Sequence, residues 1–138
     1  MRLANKRIFV VGDDAQHNAA IRMLLGQHRV TLRVEGFDGE TMTRRNVAWP
    51  ADLILLDPMC ADLATRSDMF FNILRAVRRT PALAAVPAVA MSCAEPAMLI
   101  PSLREVGYRG FLRKPLNCAN FANQIADILD GKQVWEYR

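Results

Sequence analysis

Only three cysteines occur in 138 residues, Cys60, Cys93 and Cys118, and no two of them stand in a CxxC spacing. An odd, scattered set supports neither a disulfide framework nor a thiolate zinc site, and reads as small core fillers in a reducing compartment. Long apolar runs are missing too. The first apolar segment, Ile8 to Val11, is too short for a secretory core, and the weakly polar stretch Ala82 to Pro101 is interrupted by Pro87, Glu95, Pro96 and Pro101, each costly in lipid. No membrane association is expected, and the location implied is cytoplasmic. Lysine is scarce, three against fifteen arginines at a net charge of +4 spread along the chain, a balance that favours an anionic partner but that a solvated surface explains as well. With no repeat, linker or low-complexity segment, a single domain is expected over 1–138, with a core of about 5–130 and a tail from 131.

What is present is strongly ordered. Lys6 to Gly12 (KRIFVVG) is a β-branched and aromatic run ending in Gly-Asp-Asp, a strand feeding a turn. Ile21, Leu24, Leu25 and His28 follow at helical spacing, then Val30 to Glu35 alternates as a strand near a sheet edge, and Asp38 to Val47 reads as a short helix. Asp52 to Asp57 is apolar on both faces, as a central parallel strand must be when helices cover both sides. Phe70, Ile73, Leu74 and Val77 predict a helix ended by Pro81, Pro87 to Met91 a fourth strand, Arg109 to Arg113 a fifth, and Phe121, Ile125, Ile128 and Leu129 a last helix. Five strands alternating with five helices imply a doubly wound α/β sheet of flavodoxin-like type, strand order 2-1-3-4-5. Its functional crevice lies at the carboxyl strand ends, between strands 1 and 3.

Each central strand delivers a polar group to that rim: Asp13 and Asp14 after strand 1, Asp57 after strand 3, Ser92 after strand 4 and Lys114 after strand 5. Clustered carboxylates repel unless a cation joins them, and an oxygen-lined site suits Mg²⁺. Asp57 could then attack a phosphoryl group, with Lys114 and the Ser92 hydroxyl holding the phosphoryl oxygens. Taken singly, Asp14 reads as a helix cap, Ser92 as a loop serine and Lys114 as a surface charge. The specificity lies in their joint placement.

From about residue 5 to 130 the chain resembles the receiver domain of two-component response regulators, through FVVGDD at 9–14, LILLD at 53–57, AVAMS at 88–92 and GYRGFLRKP at 107–115. The resemblance implies that Asp57 accepts a phosphoryl group from a sensor histidine kinase or phosphotransfer protein. It implies that Asp13, Asp57 and the Met59 backbone carbonyl bind Mg²⁺, with Asp14 an additional candidate. It also implies a switch pair, Ser92 and Phe111, and a cis Lys114-Pro115 bond.

Three features depart from the pattern. Gly12 stands where the first of two adjacent acids is usual, which is expected to weaken the metal site. The segment after Asp57, DPMCADLATRS, is about two residues longer than usual, and Pro58 removes a backbone donor there. Pro96 and Pro101 fall on the helix after the fourth strand, which is therefore expected to start late, near Ile100, or to be mobile.

The length leaves no room for an output domain, so a stand-alone signalling receiver, not an enzyme, is expected. The alternative is a phosphorylation-independent adaptor, or a binder of an anionic ligand such as a second-messenger nucleotide or nucleic acid, acting through Arg75, Arg78 and Arg79 or through Arg104, Arg109 and Arg113. A dehalogenase-type hydrolase is disfavoured because Met59 breaks the DxD spacing after Asp57, and no DxHxxG supports cobalamin. His17, early in the first helix, reads as a solvated first-turn histidine. Trp135 and Tyr137 in the tail could dock on the domain, pair with another subunit or mark a continuation of the chain.

Overall fold

β-Branched and aromatic residues condense into strands where both their faces can be buried, and the apolar helix stripes then cover those faces. The computed structural model describes residues 2–36, 50–57, 66–79 and 81–137. In chain order the elements are β1 (Arg7–Gly12), α1 (Ala15–Gly26), β2 (Thr31–Glu35), β3 (Leu53–Asp57), α2 (Arg66–Arg79), a 3₁₀ turn (Pro81–Leu83), β4 (Ala88–Ser92), α3 (Pro96–Val106), β5 (Gly110–Arg113), α4 (Phe121–Leu129) and β6 (Val134–Trp135). The helix expected over Asp38 to Val47 lies outside the described residues.

The sheet is parallel and runs β2-β1-β3-β4-β5-β6. The order expected for five strands is present, flanked by helices, and a sixth strand is added at the β5 edge. β3 is buried at all five positions. On one face Phe9, Val11, Ile54, Leu56 and Phe111 meet α2 and α3; on the other Ile8, Val10, Leu53, Leu55 and Leu112 meet α1 and α4. Each such side chain contributes about 1.5–3 kcal/mol by leaving water. Among the described residues no helix is long and apolar enough to cross a membrane.

α3 corrects the expectation of a late start. It begins at Pro96, whose missing N–H is one that the first helical turn leaves unpaired anyway. Pro101 deprives the Ala97 carbonyl of its helical partner, but both residues are exposed, so water can supply the lost bond. Burial of Leu99, Ile100 and Leu103 holds the helix despite that loss, and Gly107, at φ 109°, closes it in the left-handed conformation that glycine adopts without strain.

The tail docks on its own domain. Val134 and Trp135 pair with Gly110 and Phe111, the Arg104 guanidinium lies 5.2 Å from the Trp135 ring centroid, and Glu136 accepts from the Arg113 backbone N–H and from Gln124 Nε2, both at 2.8 Å. Gly110 permits this approach: a Cβ there would stand 2.8 Å from the Val134 carbonyl oxygen and 3.1 Å from Ile128 Cδ1. Gly110→Ala is therefore expected to lift β6 from the sheet, and acrylamide quenching of Trp135 fluorescence should rise; unchanged quenching would show that the strand tolerates the added methyl. The measurement is made in a Trp49→Phe background, so that Trp135 reports alone.

Tyr108 pins α2 to the same face. Its hydroxyl donates to the Phe70 carbonyl at 2.6 Å, its ring meets Phe70 edge-on at 6.0 Å, and burial pushes its phenol well above the ordinary value of 10.0. Above pH 10 the unfolded chain loses this proton while the folded chain keeps it. Stability from this group is thus complete below pH 10 and declines as pH rises toward the folded value. Tyr108→Phe should flatten that alkaline decline in urea denaturation, and an equally steep decline in the variant would assign it to other groups.

Candidate functional site

The last residue of β3 turns its side chain toward α1, because Leu53 and Leu55 face that layer and strand side chains alternate. That residue, Asp57, is wholly buried. Lys114, just past β5, donates from Nζ to Asp57 Oδ1 at 2.5 Å, with side-chain exposures of 5% and 0%. The Lys114-Pro115 peptide is cis, as the resemblance implies. A carboxylate and an ammonium, 57 residues apart in sequence, thus form a buried pair at the carboxyl edge of the sheet.

His17 is the residue that sequence reasoning placed wrongly. Its side chain is 14% exposed and its Nδ1 hydrogen-bonds to Asp57 Oδ2, so it is not a solvated first-turn histidine. The signal was available: residues 17, 21 and 25 form one helical stripe, and Ile21 and Leu25 are its buried members. His17 heads that stripe, where α1 reaches the rim.

Gly12 pairs with Asp57 in register. A Cβ at position 12 would lie 3.0 Å from Asn18 Oδ1, 3.1 Å from the Asp57 carbonyl oxygen and 3.4 Å from Asp57 Cβ. Asn18 Nδ2 donates to the Gly12 carbonyl at 3.0 Å, which fixes the amide's orientation, and leaves Oδ1 buried with no hydrogen-bond partner. Asp14 caps α1, accepting from the Gln16 and His17 backbone N–H groups. Asp13 is exposed and leans toward the end of β2, its Oδ1 2.6 Å from where a Cβ on Gly36 would stand. Met59, with Pro58 and Cys60, lies outside the described residues, and among the described residues no three His, Cys, Asp or Glu side chains converge as a ready metal cage.

Ser92 is buried at the end of β4, and its Oγ accepts from the Ala94 N–H at 3.0 Å; its hydrogen bond is local and does not reach Asp57. Alternation puts Ser92 on the sheet face of Phe111, which is fully buried among α2 and α3 residues. Cys93 is disulfide-bonded and Cys118 is a free, exposed thiol in the loop before α4, so neither is the small core filler that composition alone suggested. The loop positions of both, beyond the strand ends, keep them out of the packed layers.

The arginine clusters are engaged only in part. Arg78 Nη1 donates to the Leu83 and Val86 carbonyls and so clasps the turn after α2, while Arg109 Nη2 donates to the Gly131 carbonyl. Arg75 and Arg79 are exposed and border, with Phe71 and Val106, a surface cavity of about 460 Å³.

No family model and no curated protein matches this sequence. Solved structures do match. A LuxR-family two-component response regulator from Aurantimonas sp. SI85-9A1 is 18% identical, with a TM-score of 0.74 over 95% of this chain and 89% of that one. A response regulator from Desulfuromonas acetoxidans is 20% identical, with a TM-score of 0.74 over 91% and 97%. The isolated REC domain of RcsB from Salmonella enterica serovar Typhimurium, in the apo form, is 13% identical, with a TM-score of 0.76 over 96% and 93%. The likeness extends over nearly the whole chain in each case, and this chain has the fold of the response regulator receiver domain.

Proposed function

We propose that the protein is a phosphoacceptor receiver, with Asp57 accepting a phosphoryl group from a phosphohistidine on a sensor kinase or phosphotransfer protein. The observation that carries this reading is the buried contact of Lys114 Nζ with Asp57 Oδ1 at the carboxyl edge of a receiver-type sheet. A carboxylate oxygen of Asp57 attacks phosphorus in line with the bond to the donor nitrogen. That P–N bond breaks, its electron pair leaves with the donor imidazole, which takes up a proton, and an aspartyl phosphate remains. Lys114 stays beside the acceptor and offsets the charge on the phosphoryl oxygens.

The donor set fits a divalent cation, since Asn18 Oδ1 is a buried oxygen with no hydrogen-bond partner, and both it and Asp57 Cβ lie within 3.4 Å of the bare position above Gly12. Asp57 and Asp13 would hold the ion with the Met59 carbonyl, and the ion would neutralise charge as the phosphoryl group arrives. In the phosphorylated protein Ser92 exchanges its bond to Ala94 for one to a phosphoryl oxygen. The space it vacates is open to Phe111 on the same face, which would carry the signal to α3 and β5.

Incubation with acetyl phosphate and Mg²⁺, followed by intact mass, is expected to show one phosphoryl adduct in the wild-type chain and none in Asp57→Ala. An unmodified wild-type chain would instead favour a phosphorylation-independent adaptor.

A further inference from the structure

An Asp57 side chain with no exposure, held by Lys114 on Oδ1 and by His17 on Oδ2, cannot be touched by a hydrated cation until a neighbouring side chain moves. Of these two partners His17 is the more exposed, and it sits on the first turn of α1. Its hold is also incomplete, because the other ring nitrogen, Nε2, is buried with no hydrogen-bond partner. In the neutral ring with Nδ1–H donating, Nε2 is an acceptor without a donor; in the charged ring it is a donor without an acceptor. Either way the ring regains a hydrogen bond to water by leaving.

Next to it in sequence, Asn18 Oδ1 is an acceptor that also lacks a donor. Asn18 Oδ1 and Asp57 Cβ flank the same point, the bare position above Gly12, at 3.0 and 3.4 Å. An amide oxygen cannot hydrogen-bond to a carboxylate, since both only accept, whereas one hard cation can serve both.

We propose that His17 and a divalent cation compete for Asp57 Oδ2, and that once the ring withdraws, Asn18 Oδ1 serves as the neutral donor where Gly12 supplies none. His17 is then a positioning residue that keeps the carboxylate closed until the ion displaces it. The purpose of this competition rests on the phosphoacceptor reading above; the competition itself is read without any phosphoryl donor.

Mn²⁺ binding, followed at fixed pH by the electron paramagnetic resonance of the free ion, is expected to be about tenfold tighter in His17→Ala, since one hydrogen bond to a charged group no longer has to be broken. Unchanged or weaker binding overturns the proposal, and so does the absence of binding in both chains. Adding Asn18→Ala to His17→Ala should take most of the gain back; a gain kept whole would remove Asn18 from the site. On the wild-type chain, a Mg²⁺ titration should shift the ring ¹⁵N resonances of His17 in step with binding, while those of His28, beyond the far end of α1, stay put. A His17 signal unmoved at saturating Mg²⁺ overturns the competition. A tenfold gain in Mn²⁺ affinity without any phosphoryl adduct would sink only the phosphoacceptor reading.

Discussion

Lys114→Ala is expected to lower the free energy of unfolding by about 3–5 kcal/mol, because it strips the cation from a carboxylate that has no access to water. The magnitude follows from burial rather than from the short contact itself. An exposed pair at this distance would be worth under about 1 kcal/mol, since water would replace either partner. Here the Asp57 side chain is fully buried and His17 remains its other hydrogen-bond partner, so the loss is partly but not wholly offset. The check is a double-mutant cycle by urea denaturation with Asp57→Asn. If the attraction between these two groups sets the cost, Lys114→Ala should be far less harmful once Asp57 is already neutral. Additive losses would place the worth of the lysine in contacts other than this carboxylate. The same single variant should also form no aspartyl phosphate with acetyl phosphate.

Phe111→Ala should cost about 3–5 kcal/mol as well, for a different reason: it leaves a void in a packed layer, and neighbouring side chains fill such voids only in part. Phe111 lies on β5 in the layer shared with Phe70, Leu103 and Tyr108, and Trp135 packs on that layer from outside. Phe111→Leu keeps most of the volume and is expected to lose less than about 1.5 kcal/mol. Thermal or urea unfolding separates the two variants, and near-equal losses would show that this part of the layer collapses freely. The contrast also bears on signalling. On the phosphoacceptor reading proposed above, a ring that changes rotamer upon phosphorylation needs room, which Ser92 on the same sheet face would supply by moving.

Much of the site could be read from the residues themselves. Asp57 and Lys114 were placed at one rim by strand ends alone, because a parallel sheet aligns its carboxyl edges whatever the intervening lengths. His17 was missed because its neighbours in sequence, Asp14, Gln16 and Asn18, are polar, whereas its neighbours in space are set by the stripe it shares with Ile21 and Leu25. The early start of α3 was missed because proline was weighed for the bond it removes and not for its position at the first turn, where no bond is lost. β6 has only two residues, and no periodicity can be read from so short a segment.

By itself, the order of residues determined the layered sheet, the succession of strands and the rim on which acids and lysine meet, since hydrophobic period and strand-end polarity are properties of the chain. Only the tertiary structure decided which of those groups touch. It set His17 against Asp57, left Asn18 Oδ1 unpartnered beside Gly12, spent Asp14 on a cap and laid the tail on β5. The reason is physical: periodicity states which face a side chain takes, but contact also depends on how far a helix projects past the sheet and what space the facing residue leaves. Gly12, by having no side chain, left the space that Asn18 now borders.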